Sequence, residues 1–260
     1  MNRQKFKVAL IVISVACLSV SCALPRPRIM IPVNPGNPIR RIAILPMVDN
    51  ADDVDAPERI REEFFNRLTN YNYEIQPLAE TNEILNFQMG ISMGKQLGFA
   101  TPQEIGKTLG VDGLFYGYLL DFNEMTIGVA NTYKVRMGWK LVDTKTGQIS
   151  WGKGVGVLRT QSVGGVAGLE ALMEAEKVDA QPGSSDPMNE MPGLNRWISM
   201  GNQSVSIGEG VALGLLGKVA GTIGGNTLKN EINFAYDHLF PGLLVGPGAQ
   251  ITAASDIAVQ

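Results

Sequence analysis

The chain has 260 residues, 45% of them hydrophobic and 18% charged, with a formal net charge of −3. That composition belongs to a globular protein rather than a disordered one, and the length holds one substantial core or a core with an appendage. The weak negative charge lacks the basic footprint of a nucleic-acid binder, so no nucleic-acid partner is expected.

The chain opens on the basic stretch MNRQKFK, followed by the apolar run VALIVISVACLSV. A run of about thirteen residues is too short to cross a hydrocarbon core of about 30 Å. Small residues then lead to Cys22 in SVSC, the pattern of a bacterial lipoprotein signal. Ser19 stands where Leu is usual. Cys17 in SVAC is a rival, and a plain signal anchor and an uncleaved cytoplasmic N-terminus are other readings. Cys22 is favoured, because use of Cys17 would shorten the apolar run. Residues 1–21 are therefore expected to be a cleaved signal peptide and Cys22 the lipidated residue. Cleavage removes Arg3, Lys5 and Lys7 but no acid, which takes the net charge to −6. Both cysteines lie in this region, so no disulfide framework is available.

ALPRPRIMIPVNPGNPIR (23–40) is Pro-rich and aperiodic, and reads as a tether over 22–39. RRIAILPM (40–47) reads as a buried strand stopped by Pro46. An amphipathic helix follows, with Ile60, Phe64, Phe65 and Leu68 at helical spacing; Asp55 and Glu58 suggest a capping box. YEIQPL reads as a strand, and AETNEILNFQM and TPQEIGKTLG as short helices. The second begins at Thr101-Pro102 and stops at Gly110.

VDGLFYGYLLDF (111–122) is apolar on both faces and suits a central strand. In NTYKVRMGWKLVD, Tyr133, Val135, Met137, Trp139 and Leu141 alternate with Lys134, Arg136 and Lys140. That predicts a strand with one face in the core and the basic face in water; the basic face could also dock an anionic partner or a lipid surface. DTKTG is a turn, and QISWGKGVGVL returns antiparallel.

Beyond it, residues 164–202 read as an irregular insertion rich in Gly, Met, Pro and acid. GVALGLLGKVAGTIGG is a Gly-rich helical candidate in which Gly210 and Gly214, Gly217 and Gly221, and Gly221 and Gly225 are each four residues apart. Such a stripe allows close helix approach to the protein's own sheet, to another copy or to a partner, and shallow insertion in lipid is a further reading. A final amphipathic helix carries Leu228, Ile232, Ala235 and Leu239, and PGLLVGPG closes the fold as a strap. The order predicts an α/β fold: a mixed sheet flanked by helices, with an antiparallel hairpin. One domain is expected over 40–250, with a tail at 251–260.

Chemistry-bearing motifs are weak. GKT (106–108) lacks the upstream Gly of a phosphate loop and lies inside a helix. GEGVALG (208–214) has no βαβ unit after it. DNADDVD (49–55) lacks the Gly and distal Glu of an EF-hand loop. His238 is the only histidine, and is read as a surface or packing residue. No catalytic residue, metal or cofactor is expected.

RRIAILP, LGVDGLFYGYLLDF, VRMGWKLVDTKTGQISWGKG and the ending from LLGKVAGTIGG to GPG resemble, in this order, one family. It comprises the outer-membrane lipoproteins typified by a genome-derived neisserial surface antigen, akin to the curli-secretion lipoprotein and to the lipoprotein activators of penicillin-binding proteins. The resemblance implies a periplasm-facing, lipid-anchored domain of the outer membrane that works by protein contact, not catalysis. Its partners would be the membrane through the N-terminal lipid, envelope proteins, and further copies of itself. It also implies that the hairpin is scaffold, with Asp143 and Gly147 shaping the turn and Trp151 packing the sheet. Two roles compete: a part in envelope assembly or secretion, and binding and activation of a periplasmic cell-wall enzyme. The insertion departs from the family pattern.

Overall fold

A computed structural model describes residues 31–50, 53–127, 130–163, 190–205 and 228–248. Contacts divide the chain into Met1–Met30 and Ile31–Gln260, and the described residues belong to the second unit. Cys22 and the glycine stripe at 210–225 lie outside the described residues.

The fold is α/β, as the element order predicts. Strand β1 (Arg41–Ile44) is followed by the short β2 (Val48–Asp49), helix α1 (Ala56–Leu68) and β3 (Glu74–Ile75). Helix α2 (Leu78–Ile84) continues into a π-helical turn at Leu85–Met89, and a 3-10 turn spans Gly94–Phe99 before helix α3 (Pro102–Leu109). Strands β4 (Gly113–Ile127), β5 (Ala130–Asp143), β6 (Ile149–Val163) and β7 (Trp197–Val205) lead to helix α4 (Lys229–Leu239). The sheet order is β3-β1-β4-β5-β6-β7, with β2 extending the pairing along β4.

β1 pairs parallel with β3 on one side and β4 on the other. Parallel neighbours need crossovers, and right-handed crossovers in opposite directions place their helices on opposite faces. The burial follows that rule. Ile42 and Ile44 of β1 join the core beneath α1 and α4, while Ala43 and Leu45 join the core beneath α2 and α3. β4 divides in the same way, with Phe115 and Leu119 on the first face and Leu114 and Tyr116 on the second. A bulge between Leu119 and Asp121 shifts the alternation, so that Phe122 points back into the first core and Asp121 points away.

On α1, Ile60, Phe64 and Leu68 are buried, as their spacing predicts. The cap differs from expectation. Asp55 makes no side-chain cap bond; Asp53 Oδ1 accepts from the Asp55 and Ala56 amides at 3.0 Å. On α3, Thr101 and Glu104 form a capping box, and Gly110 ends the helix at φ +66°. Gly106 faces Thr144 so closely that a Cβ there would lie 2.3 Å from its Cγ2. The glycine of GKT therefore serves helix packing against the hairpin.

The two ends of the domain meet. Asn37 Nδ2 donates to Val245 O at 2.9 Å and to Tyr73 Oη at 3.0 Å, and Tyr73 Oη donates to Leu244 O at 3.0 Å. Asn34 N donates to Gly246 O at 3.0 Å.

Candidate functional site

The β5–β6 hairpin begins with the turn that Asp143 builds. Its Oδ1 accepts from the Lys145 amide at 2.7 Å and the Thr146 amide at 3.1 Å, and Gly147 sits at φ +73°. Trp151 is half-buried and meets Phe115 edge-on at 6.4 Å between ring centroids.

Strand period 2 puts Gly152, Gly154 and Gly156 of β6 on one face, and Gly138 of β5 is the cross-strand partner of Gly154. These glycines floor a trough, and residues 190–194 lie in it as a strap. A Cβ at Gly138 would fall 2.8 Å from Met191 Sδ, one at Gly154 2.5 Å from Leu194 Cβ, and one at Gly152 2.2 Å from Glu190 O. Gly154 N donates to Pro192 O at 3.0 Å, and Gly156 N to Arg196 O at 2.9 Å. Met191 and Leu194 are fully buried. Glycine inside a strand marks close backbone approach, and here the approaching backbone is the chain's own.

The strap also carries charge. The Glu190 carboxylate pairs with the Lys140 ammonium, which lies 5.4 and 5.5 Å from the ring centroids of Tyr116 and Tyr118. Burial opposes the charged form of Lys140, but bonds and charge from Glu190 and Tyr118 outweigh it, and its pKa is raised. Arg136 pairs with Asp121 and stacks over Trp197 at 5.3 Å. Lys134 is 5% exposed; burial lowers its pKa, Asp121 opposing and Arg136 adding to the effect. The basic face of β5 is therefore not the wet face its alternation predicts. Glu190, toward the end of the insertion, meets Lys140 on this face, and Trp197 of β7 meets Arg136.

Beside the strap lies an open cleft of about 540 Å³. Tyr116, Tyr118 and Val142 line it from the sheet, Leu97 and Pro102 from the helical layer, and Ile149 from the hairpin. Its charged lining residues are Lys95 and the Lys140–Glu190 pair. Met93, just before the 3-10 turn that borders it, and Phe99, at the turn's end, are 62% and 87% exposed.

Elsewhere the structure offers little chemistry. In open α/β sheets, ligands favour the crevice outside the carboxyl ends of the parallel strands. At the end of β1 that space holds Arg61, whose side chain is 0% exposed. Nη2 donates to Ile44 O at 2.6 Å, and Nη1 to Asn82 Oδ1 at 2.8 Å and to Glu58 at 3.3 Å. Burial lowers the Arg61 pKa against the opposing pull of Glu58. His238 Nδ1 lies 2.8 Å from Phe234 O, and its ring packs on Phe234. Among the described residues, no group of three or more His, Cys, Asp or Glu could hold a metal, and no helix is long and apolar enough to cross a membrane.

The model of the GNA1162-like lipoprotein family matches residues 36–185, more than half of the chain. Several solved structures are similar, among them the following three. Lipoprotein GNA1162 from Neisseria meningitidis is 17% identical with a TM-score of 0.43, over 53% of this chain and 94% of that one. The C-terminal domain of LpoB from Salmonella enterica is 14% identical with a TM-score of 0.33, over 45% and 81%. The PelC dodecamer from Paraburkholderia phytofirmans is 14% identical with a TM-score of 0.32, over 50% and 78%. Comparison with curated proteins returns no match.

Proposed function

The chain belongs to the GNA1162-like lipoprotein family, and from that premise we propose that it is a lipid-anchored, non-enzymatic protein serving envelope assembly or secretion through protein contacts. Acylation of Cys22 holds it in the outer membrane, facing the periplasm; Ala23, in place of an acid at the next position, leaves it free to leave the inner membrane. The mature chain starts at Cys22, and its single domain spans 40–250. The observation that carries the reading is the cleft beside the strap. Its lining is mainly apolar and aromatic, and two of its three charged side chains neutralise each other. Such a surface, with Met93 and Phe99 exposed beside it, suits an apolar protein segment.

The test is capture from cross-linked envelopes of the full chain and of its Ile149→Asp variant. Ile149 is 39% exposed on the cleft wall, so the variant should fold. Loss of a defined set of envelope proteins from the variant's capture supports the reading, and an unchanged set rejects the cleft. A cell-wall synthase within the lost set identifies the protein as a regulator of that enzyme instead. A palmitate analogue should label the wild type and not Cys22→Ala.

A further inference from the structure

The strap makes the contacts of a bound peptide. Two apolar anchors, Met191 and Leu194, enter glycine-made gaps, one main-chain bond runs from Gly154 to Pro192, and one carboxylate meets a lysine. Only residues 195 and 196 separate the strap from β7, whose pairing with β6 begins at Gly156 and Trp197. Strap and β7 therefore dock as one segment, 190–205. Long stretches, 164–189 and 206–227, connect it to the rest of the domain on either side.

The pairing of β6 with β7 is parallel. The ends of the connection, Val163 and Glu190, are separated by the length of β6 from Val163 to Gly152, roughly 35 Å at about 3.3 Å per residue. The 26 residues of 164–189 span at most about 85 Å when extended, well over that separation, so the sequence leaves chain enough for the same trough on an adjacent copy. Loop-closure entropy grows only with the logarithm of length, so the penalty for the longer path is small. Contacts made between copies are the same contacts, atom for atom, as those made within one chain. Lipid anchoring adds confinement, which raises the effective concentration of neighbouring troughs. The half-covered Lys140–Glu190 pair fixes which segment fits, because either partner left alone in that site keeps an uncompensated charge.

We propose that segment 190–205 is exchanged between copies of this chain, so that the strap of one fills the glycine-floored trough of its neighbour. This deepens the contact-acting, lipid-anchored reading and rests on it. The test uses zero-length carbodiimide cross-linking, which joins an amine to a carboxylate in direct contact. Two differently tagged full chains are produced together: Lys140→Arg, which keeps Glu190, and Glu190→Gln, which keeps Lys140. A link between Lys140 and Glu190 can then form only between two copies. The expected result is a linked heterodimer on a denaturing gel, with the joined peptides identified by mass spectrometry. The wild type alone reports whether the pair is in contact at all. If the wild type links only within monomers and the mixed chains give no heterodimer, exchange is wrong. If the wild type gives no link, the strap is not seated and the proposal is equally overturned. The experiment is repeated on chains starting after Cys22, at high concentration: heterodimers there, with no acylation in cells, would reject the lipid anchor while keeping the exchange.

Discussion

Phe64 of α1 and Trp139 of β5 stack face to face, with ring centroids 3.9 Å apart and planes 6° from parallel. Phe64 also meets Phe115 at 5.1 Å and Phe240 at 5.4 Å, so one ring joins the first helix, two central strands and the residue after α4. Trp139 has Gly117 as its cross-strand partner, and a Cβ at Gly117 would lie 2.7 Å from the indole. The glycine makes the space that the indole fills.

Trp139→Ala should therefore empty a large, fully buried volume. The expected loss is about 3–5 kcal/mol, read as a fall in the urea midpoint with an unchanged slope. Gly117→Val should also destabilise, by about 1–3 kcal/mol, through overpacking. A loss under about 1 kcal/mol in both variants would show that this stack is not central to the core.

The trough predicts a different kind of defect. Gly154→Val places a branched side chain where Leu194 now lies. The sheet and helices do not depend on that contact, so far-UV circular dichroism should keep its shape. The strap should lift, and limited proteolysis should gain a cut within 190–197. Protection of that stretch equal to wild type would argue against the close packing.

Much of this arrangement could be read from the residues, and the failures share a cause. Val135, Met137, Trp139 and Leu141 alternate, and they lie in the main core as alternation predicts. Thr101, Glu104 and Gly110 bound α3 through bonds that span only a few residues. The fate of Lys140 depends on Glu190, fifty positions away, and nothing local announces it. β7 lies among Gly, Pro and polar residues, and its pairing is supplied by the free edge of β6. The trough did leave a trace. Three glycines at period 2 in WGKGVGVL could have been read as a lane for another backbone, instead of as a weak strand.

Tyr73 makes the fold sensitive to alkali. Burial pushes its pKa from the ordinary value near 10 up to about 12, with the Asn37 bond opposing. The folded state thus holds the phenol proton more tightly than the unfolded chain does. This contribution is complete below pH 10 and is lost as pH rises from about 10 to about 12, by at most about 3 kcal/mol. Because Tyr73 binds Leu244 O and accepts from Asn37, its ionisation should release the junction of the two chain ends first. Tyr73→Phe should cost about 1 kcal/mol near pH 8 and should flatten the alkaline decline of the urea midpoint. Tyr116 and Tyr236, also raised by burial, leave part of the decline in place. A decline identical to wild type would assign alkaline loss entirely to those two.

Arg61 supplies the sharpest contrast between two substitutions at one position. Its guanidinium is buried, yet its carboxylate partner, Glu58, has a side chain 54% exposed. The ion pair therefore recovers little of the desolvation cost, and what holds the side chain is its pair of bonds to Ile44 O and Asn82. Arg61→Ala removes the stem as well as the head. It opens a cavity between α1 and β1 and strips a partner from a buried carbonyl, so a loss of about 3–5 kcal/mol is expected. Arg61→Met keeps most of the volume and removes the buried charge, and should cost about 1–2 kcal/mol. Urea unfolding of the three proteins side by side decides the matter. If Met is as damaging as Ala, the charge and its bonds, rather than the filled space, hold the end of β1 in place.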